Sequence, residues 1–100
     1  MTQRIFLLNY ELRPSGQHPD QDGIGGAYVS AWVRATALEE ARQRARAHLQ
    51  ASGWVILDTL SEVAVRAEAC PPESRPHLEQ AQRDGEVFVI HAFPPQEADA

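Results

Sequence analysis

The segment 27–35 constrains the fold most, because it reads as a strand that is apolar on both faces. At a period of two residues, one side carries only small apolar residues: Ala27, Val29, Ala31, Val33 and Ala35. The other side carries two large aromatic residues, Tyr28 and Trp32, together with Ser30 and Arg34. A strand with one face in water alternates apolar with polar residues more cleanly. Both faces of the sheet that contains this strand therefore need a cover.

Composition indicates one small globular domain. The 100 residues are 43% hydrophobic and 23% charged, which is ordinary for a globular chain. We expect a single domain over residues 1–100, with a flexible Pro- and Gly-rich loop over 13–26 and a frayed tail over 96–100.

Charge and cysteine content exclude several classes of function. A net charge of −5 opposes binding to nucleic acid, which needs clustered positive charge. The aromatic residues lack the flanking basic motif of RNA-binding sheets. The chain has one cysteine, Cys70, so it contains no internal disulfide. No apolar run is long enough to span a membrane, and 1–10 does not resemble a signal peptide. We expect a cytoplasmic protein that binds neither nucleic acid nor membrane.

Turn and capping signals divide the chain into seven predicted elements. A helix begins at Thr36, where Thr36 and Glu39 form a capping box, and Gly53 ends it. A second helix covers 75–84, with Ser74 as its cap, and Gly85 ends it. Ser61 and Glu62 are predicted to form a turn between two strands. The predicted strands are 4–12, 27–35, 54–60, 63–68 and 86–93.

The order of these elements predicts the fold class. After the first strand, the order β-α-β-β-α-β is that of a ferredoxin-like plait. We therefore expect an α+β fold with an antiparallel sheet, two helices on one face and an extra N-terminal strand. Two helices cover one face, so the other is expected to meet a partner subunit, a ligand or a groove. The predicted core consists of Val29, Val33, Leu38, Ala41, Ala45, Leu49 and Leu78.

The candidate chemical motifs do not assemble into a catalytic or metal site. The glycines at 23, 25 and 26 precede a strand, whereas a phosphate-binding loop opens a helix. His18, Asp20 and Asp22 lack the further acids of a calcium loop. Cys70 has no base partner at readable spacing. We predict no catalytic residue, no metal and no cofactor.

Three residues remain as a candidate binding site for a small apolar ligand: Tyr28, Trp32 and His91. The two aromatic residues would supply apolar area, and the histidine would supply one polar group that fixes orientation. Whether Asp58 approaches His91 across the sheet depends on the strand register.

Three hypotheses of function follow. The first is a non-catalytic binding or regulatory module that forms a homodimer through its open sheet face. The second is a small dimeric enzyme whose pocket uses His91 as acid and base. The third is a subunit whose acidic surface meets a basic protein.

Overall fold

Four strands and two helices make up the fold. The computed structural model describes residues 2–16, 18 and 22–94. The elements are β1 (Arg4–Pro14), β2 (Gly26–Ala35), α1 (Leu38–Ala51), β3 (Trp54–Ala64), α2 (Arg75–Asp84) and β4 (Glu86–Phe93), with two 3₁₀ turns at Ala67–Ala69 and Pro72–Ser74. The expected α+β class, with an antiparallel sheet and two helices, is confirmed.

The strands form one antiparallel sheet in the order β3-β1-β2-β4. Because β1 is antiparallel to both neighbours, β2 and β3 run parallel on either side of it, and α1 connects them. The ferredoxin-like strand order is not confirmed. The predicted turn at Ser61 and Glu62 is wrong, because both residues continue β3 and pair with Asn9 and Leu8 of β1. The strand predicted over 63–68 is the end of β3 followed by a 3₁₀ turn.

The first face of the sheet packs on α1. The small residues that β2 turns to this face let the helix approach closely, and Ala41, Ala45 and Leu49 meet them. β1 contributes larger apolar side chains to the same core, and Trp54 closes it at the start of β3. The buried strand residues of this face are Phe6, Leu8, Tyr10, Leu12, Ala27, Val29, Ala31, Val33 and Ala35.

The second face packs on α2, so the prediction of two helices on one face is wrong. Leu78 and Ala81 of α2 form a separate buried cluster with Ile5, Trp32 and Val87. These strand residues alternate with those of the first core, so the two helices lie on opposite faces. The physical reason lies in β1 and β2, which carry apolar residues on both sides, so that each face gains from a helix of its own.

The helix boundaries follow local backbone chemistry. Gly53 and Gly85 follow the two helices with φ of +90° and +96°, a conformation that glycine adopts without strain, and both predicted ends are confirmed. The start of α1 differs from the prediction. Thr36 donates its backbone N–H and its hydroxyl to Glu40, at 2.7 and 2.9 Å, rather than to Glu39.

Six of the seven predicted core residues are buried, and Leu38 is half-buried. Leu78 belongs to the second cluster rather than to the core under α1. The predicted loop 13–26 and tail 96–100 lie partly or wholly outside the described residues, as does Asp20. Among the residues that are described, no helix is long and apolar enough to cross a membrane.

Truncation of Leu49 tests the core under α1. Leu49 has no exposed surface, so Leu49→Ala leaves a cavity and should lower the free energy of unfolding by ~2–5 kcal/mol. Leu57→Ala is the matched control, because 53% of Leu57 is exposed and its truncation removes few contacts. Urea unfolding of both variants measures the difference. Equal destabilisation by the two changes would contradict this description of the core.

Candidate functional site

The second face of the sheet carries all three residues of the predicted binding site. Tyr28 and Trp32 lie on β2 with their side chains away from α1, and His91 pairs with Tyr28 on β4. The structure separates them, however, into two surroundings. Trp32 is 4% exposed beside α2, whereas Tyr28 is 48% exposed and His91 is exposed. Tyr28 and Trp32 are four residue steps apart along β2, a distance of about 13 Å.

We call the half of this face that α2 does not cover the open half. α2 contacts β4, β2 and β1 at the end of the sheet that holds Trp32. At the other end the second face presents a mixed surface of aromatic, charged and neutral polar side chains. The open half consists of Asn9, Glu11, Arg13, Tyr28, Ser30, Asp58, Ser61, His91 and Phe93.

A row of hydrogen bonds crosses three strands at the boundary of the open half. The Ser30 hydroxyl donates to Asn9 Oδ1 at 2.7 Å, and Asn9 Nδ2 donates to the Ser61 hydroxyl at 2.8 Å. Each side-chain polar atom in this row therefore has a partner, although the row borders the apolar cluster under α2. The row fixes the register of β3 on β1 close to a shift in register at Leu60.

The next row of the open half runs across all four strands. The register aligns Asp58 of β3 with Glu11 of β1, Glu11 with Tyr28 of β2, and Tyr28 with His91 of β4. Asp58 and His91 therefore lie three strand spacings apart, about 14 Å, and the hypothesis that they approach each other is wrong. The row instead carries Asp58 at one edge with Glu11 on the neighbouring interior strand, and an imidazole at the other edge.

Phe93 flanks this row on β4. Its ring lies 5.6 Å from that of Tyr28, with the two planes tilted by 37°. The space for the ring comes from Gly26, its register partner on β2, where an added Cβ would lie only 2.6 Å from the Phe93 ring. The pair forms an amphipathic aromatic surface of the kind that is frequent in binding interfaces.

At the covered end, Trp32 lines an apolar cavity of about 350 Å³ between the sheet and the segment that leads into α2. Within the described part of the chain, the Trp32 indole N–H is the one buried side-chain polar group without a hydrogen-bond partner. An unpaired buried donor costs roughly 1–3 kcal/mol of stability. Sequence reasoning identified Trp32 but missed this cavity, because the cavity depends on the path of the 3₁₀ turns.

The first face holds a polar cluster that the sequence did not reveal. Glu62 accepts from Arg42 through both carboxylate oxygens, at 3.0 and 2.7 Å, and the buried Tyr10 hydroxyl donates to it at 3.3 Å. Arg42 also pairs with Glu39 at 2.6 Å. Arg42 holds the pKa of Glu62 below its ordinary value, and burial together with Glu62 raises the pKa of Tyr10. The cluster ties β3 to α1.

A second charged cluster joins α1 to β4. Arg44 contacts Glu86 at 2.8 Å, and the His48 ring stacks on Phe88 with its centroid 4.0 Å away. His48 Nδ1 lies 3.7 Å from Glu86. Arg44 and His48 both belong to α1 and contact β4, so the contacts of this histidine are part of the packing between α1 and β4.

The other predicted candidates do not form a reactive centre in the described part of the chain. The Cys70 thiol is buried, with Sγ 3.6 Å from the Pro71 carbonyl oxygen. The His18 ring lies 4.6 Å from Trp54, in an aromatic contact. No cluster of three or more His, Cys, Asp or Glu side chains with metal-binding geometry occurs among residues 2–16, 18 and 22–94.

Comparisons of the chain with protein-family models, curated proteins and solved structures find no match.

The Glu62 cluster generates a prediction about acid stability. Because the folded-state pKa of Glu62 is depressed, its stabilising effect is full above the ordinary pKa of a glutamate and disappears as the pH falls through the lower folded-state value. At pH 7, Glu62→Gln should therefore have a lower melting temperature than the native chain. At pH 2 the two melting temperatures should differ little. Thermal unfolding between pH 7 and pH 2 measures both curves.

Glu73→Gln is the control, because Glu73 is exposed in the 3₁₀ turn Pro72–Ser74. Its melting temperature should follow that of the native chain at every pH. A Glu62→Gln curve that runs parallel to the native curve down to pH 2 would show that Glu62 does not carry this dependence.

Proposed function

We propose that this chain is a non-catalytic binding module that forms a homodimer through the open half of its sheet. The observation that carries the proposal is the exposure of Tyr28, 48%, beside Phe93 and His91 on a sheet face that α2 covers only in part. Large aromatic residues on an exposed face are typical of protein interfaces. The occupant that we propose is a second copy of this chain.

The shape of the second face supports self-association. α2 stands one helix layer, about 10 Å, above the sheet, and leaves a step beside the open half. A copy turned by 180° about an axis that crosses the strands would set its own α2 into this step. The α2 of each copy then fills the step of the other, as a closed two-fold interface requires.

The exposed side of α2 has a composition that suits this arrangement. Pro76, Glu79 and Arg83 are exposed and lie opposite the buried Leu78 and Ala81. In the proposed dimer this side would cover Tyr28 and His91 of the other copy. The Pro76 ring would contact the surface formed by Tyr28 and Phe93, and the Glu79 carboxylate would contact the His91 imidazole.

The enzyme hypothesis gains no support from the cavities. Three cavities of about 500, 410 and 350 Å³ are described, and His91 lines none of them. A general acid and base acts within hydrogen-bond reach of a bound substrate.

The hypothesis of an acidic interaction subunit differs from our proposal in its partner, and the mass of the native chain in solution separates the two.

Charge substitutions test which surface forms the dimer. We expect the native chain to have a dimer mass at micromolar concentration, and Tyr28→Asp to have a monomer mass with unchanged circular dichroism, because an unpaired charge is costly in an interface. Pro76→Asp on α2 should weaken the dimer as well. Light scattering measures all three.

Leu60→Asp is the matched control. Leu60 is 50% exposed, as large an exposed fraction as that of Tyr28, but it lies on the edge strand β3. It should leave the dimer intact. A monomeric native chain would overturn the proposal. A dimer that Leu60→Asp dissociates and Tyr28→Asp does not would assign the interface to the edge of β3 instead.

A further inference from the structure

A groove runs along the free edge of β3, on the side of the sheet that carries α1. β3 is an outer strand of the sheet, and β1 is the one described strand that pairs with it. The groove has a volume of about 500 Å³ and is lined by residues 54–59 of β3 and by Arg46 and Gln50 of α1. Neighbouring residues of a strand point to opposite faces, so a cavity that six consecutive residues line follows the edge of the strand.

The pairing of β3 with β1 shows which backbone groups face this edge. Pro14 and Trp54 are register partners. Next to this pair, the Ser15 N–H donates to the Gly53 carbonyl oxygen at 2.8 Å. A bond between the flanking residues marks Pro14 and Trp54 as a non-hydrogen-bonded pair, in agreement with the missing N–H of proline. The two kinds of pair alternate along an antiparallel ladder, so the kind of each following pair is fixed.

Ile56 therefore turns its backbone N–H and C=O to the free edge. Val55 belongs to a hydrogen-bonded pair with β1, and Ile56 belongs to the non-hydrogen-bonded pair that follows. The Ile56 side chain packs against the core under α1. A strand added at this edge would exchange two backbone hydrogen bonds with Ile56. The residue opposite Ile56 would place its side chain on the same face, in the groove beside α1.

Arg46 brings a positive charge to this groove. Its side chain is exposed, and it forms no ion pair with a carboxylate in the described part of the chain. Its guanidinium lies close to the Tyr10 hydroxyl, where it opposes the rise of the Tyr10 pKa. Thr59 is the register partner of Tyr10, so this charge lies at the Thr59 end of the groove. A carboxylate at that end would complete an ion pair with Arg46.

Two bulges in β3 favour a short partner over a second sheet edge. Leu57 and Leu60 are the extra residues at the two register shifts between β3 and β1. Bulges bend and twist an edge strand, and they are one of the features that prevent long edges from pairing. β3 of a second copy would meet both bulges along its length. A peptide of a few residues needs only the regular stretch 54–56 and the nearby Arg46.

We propose that this groove binds a short extended peptide, which adds a strand to the edge of β3 at Ile56. An apolar side chain of the peptide packs beside Ile56, and an acidic side chain two residues away pairs with Arg46. Residues two apart in a strand share a face and lie about 7 Å apart. Thr59 is the next residue of β3 on the face of Ile56, because Leu57 is the extra residue of a bulge. Ile56 and Arg46 lie outside the open half, so the site does not depend on the dimer.

Backbone amide NMR gives a direct test. The probe is the peptide acetyl-Thr-Glu-Thr-Val-Thr-Glu-Thr-amide, which carries the proposed spacing in either chain direction. Titration should move the Ile56 amide proton downfield in a saturable way, because this proton gains a hydrogen bond. The Val55 amide proton already bonds to β1, so it is the internal control and should shift far less. The same peptide with an N-methylated valine lacks the donor for Ile56 and should bind about fivefold more weakly.

Two arginines provide matched variants for the ion pair. Arg46 lines the groove, whereas Arg4 lies at the start of β1, at the other end of the sheet, and both are exposed. Arg46→Gln should weaken binding of the peptide about threefold, within the range of an exposed ion pair. Arg4→Gln removes the same charge and should bind as the native chain does. A peptide with Gln in place of both Glu should bind the native chain and Arg46→Gln equally.

The possible results separate clearly. Absence of a saturable Ile56 shift at millimolar peptide, or equal affinity for the N-methylated peptide, would overturn strand addition at this edge. Equal binding by Arg46→Gln and Arg4→Gln would overturn the role of Arg46. An Ile56 amide that is protected from exchange without peptide, and loses this protection on dilution, would assign the edge to a second copy instead. Tyr28→Asp should bind the peptide as the native chain does, so failure of the dimer proposal and failure of this one are distinguishable.

Discussion

The structure depends on the two-sided apolar character of its central strands. β1 and β2 occupy the middle of the sheet, and each turns apolar side chains to both faces. Burial of apolar surface is the main favourable term in folding, so neither face can be left in water. With two helices available, the chain places one on each face. The closed first face, the partly covered second face and both proposed binding surfaces follow from this division.

Much of the fold could be predicted from local signals. The alternation in 27–35 identified β2 and both of its faces, and the positive φ at Gly53 and Gly85 follows from their places after helices. The side of the sheet on which α2 lies was not predictable in this way. It depends on the path of 65–74, where two short 3₁₀ turns leave no periodic pattern. A helix with a narrow apolar stripe fits either face equally well on sequence alone.

The face on which the candidate-site residues lie was predictable from the sequence, but their surroundings were not. Period-two parity places Tyr28 and Trp32 on one face, and this much is confirmed. Register and cover then separate them, because α2 buries one and leaves the other exposed. Glu62 was missed for a related reason. A polar residue inside a strand resembles a turn until its partners are known, and its partners Tyr10 and Arg42 lie 52 and 20 residues away in sequence.

Helix length explains why the second face remains partly open. A ten-residue helix such as α2 is about 15 Å long, whereas an eleven-residue strand such as β1 spans about 36 Å. α1 is longer, and on its face Ile24, Trp54 and Ile56 extend the cover past the helix. On the second face the apolar cluster under α2 ends at Asn9, Ser30 and Ser61, whose hydrogen bonds satisfy one another. The chain thus ends its second core with a polar row, and beyond that row it keeps an exposed Tyr28 and a half-buried Phe93 that its own elements do not cover fully.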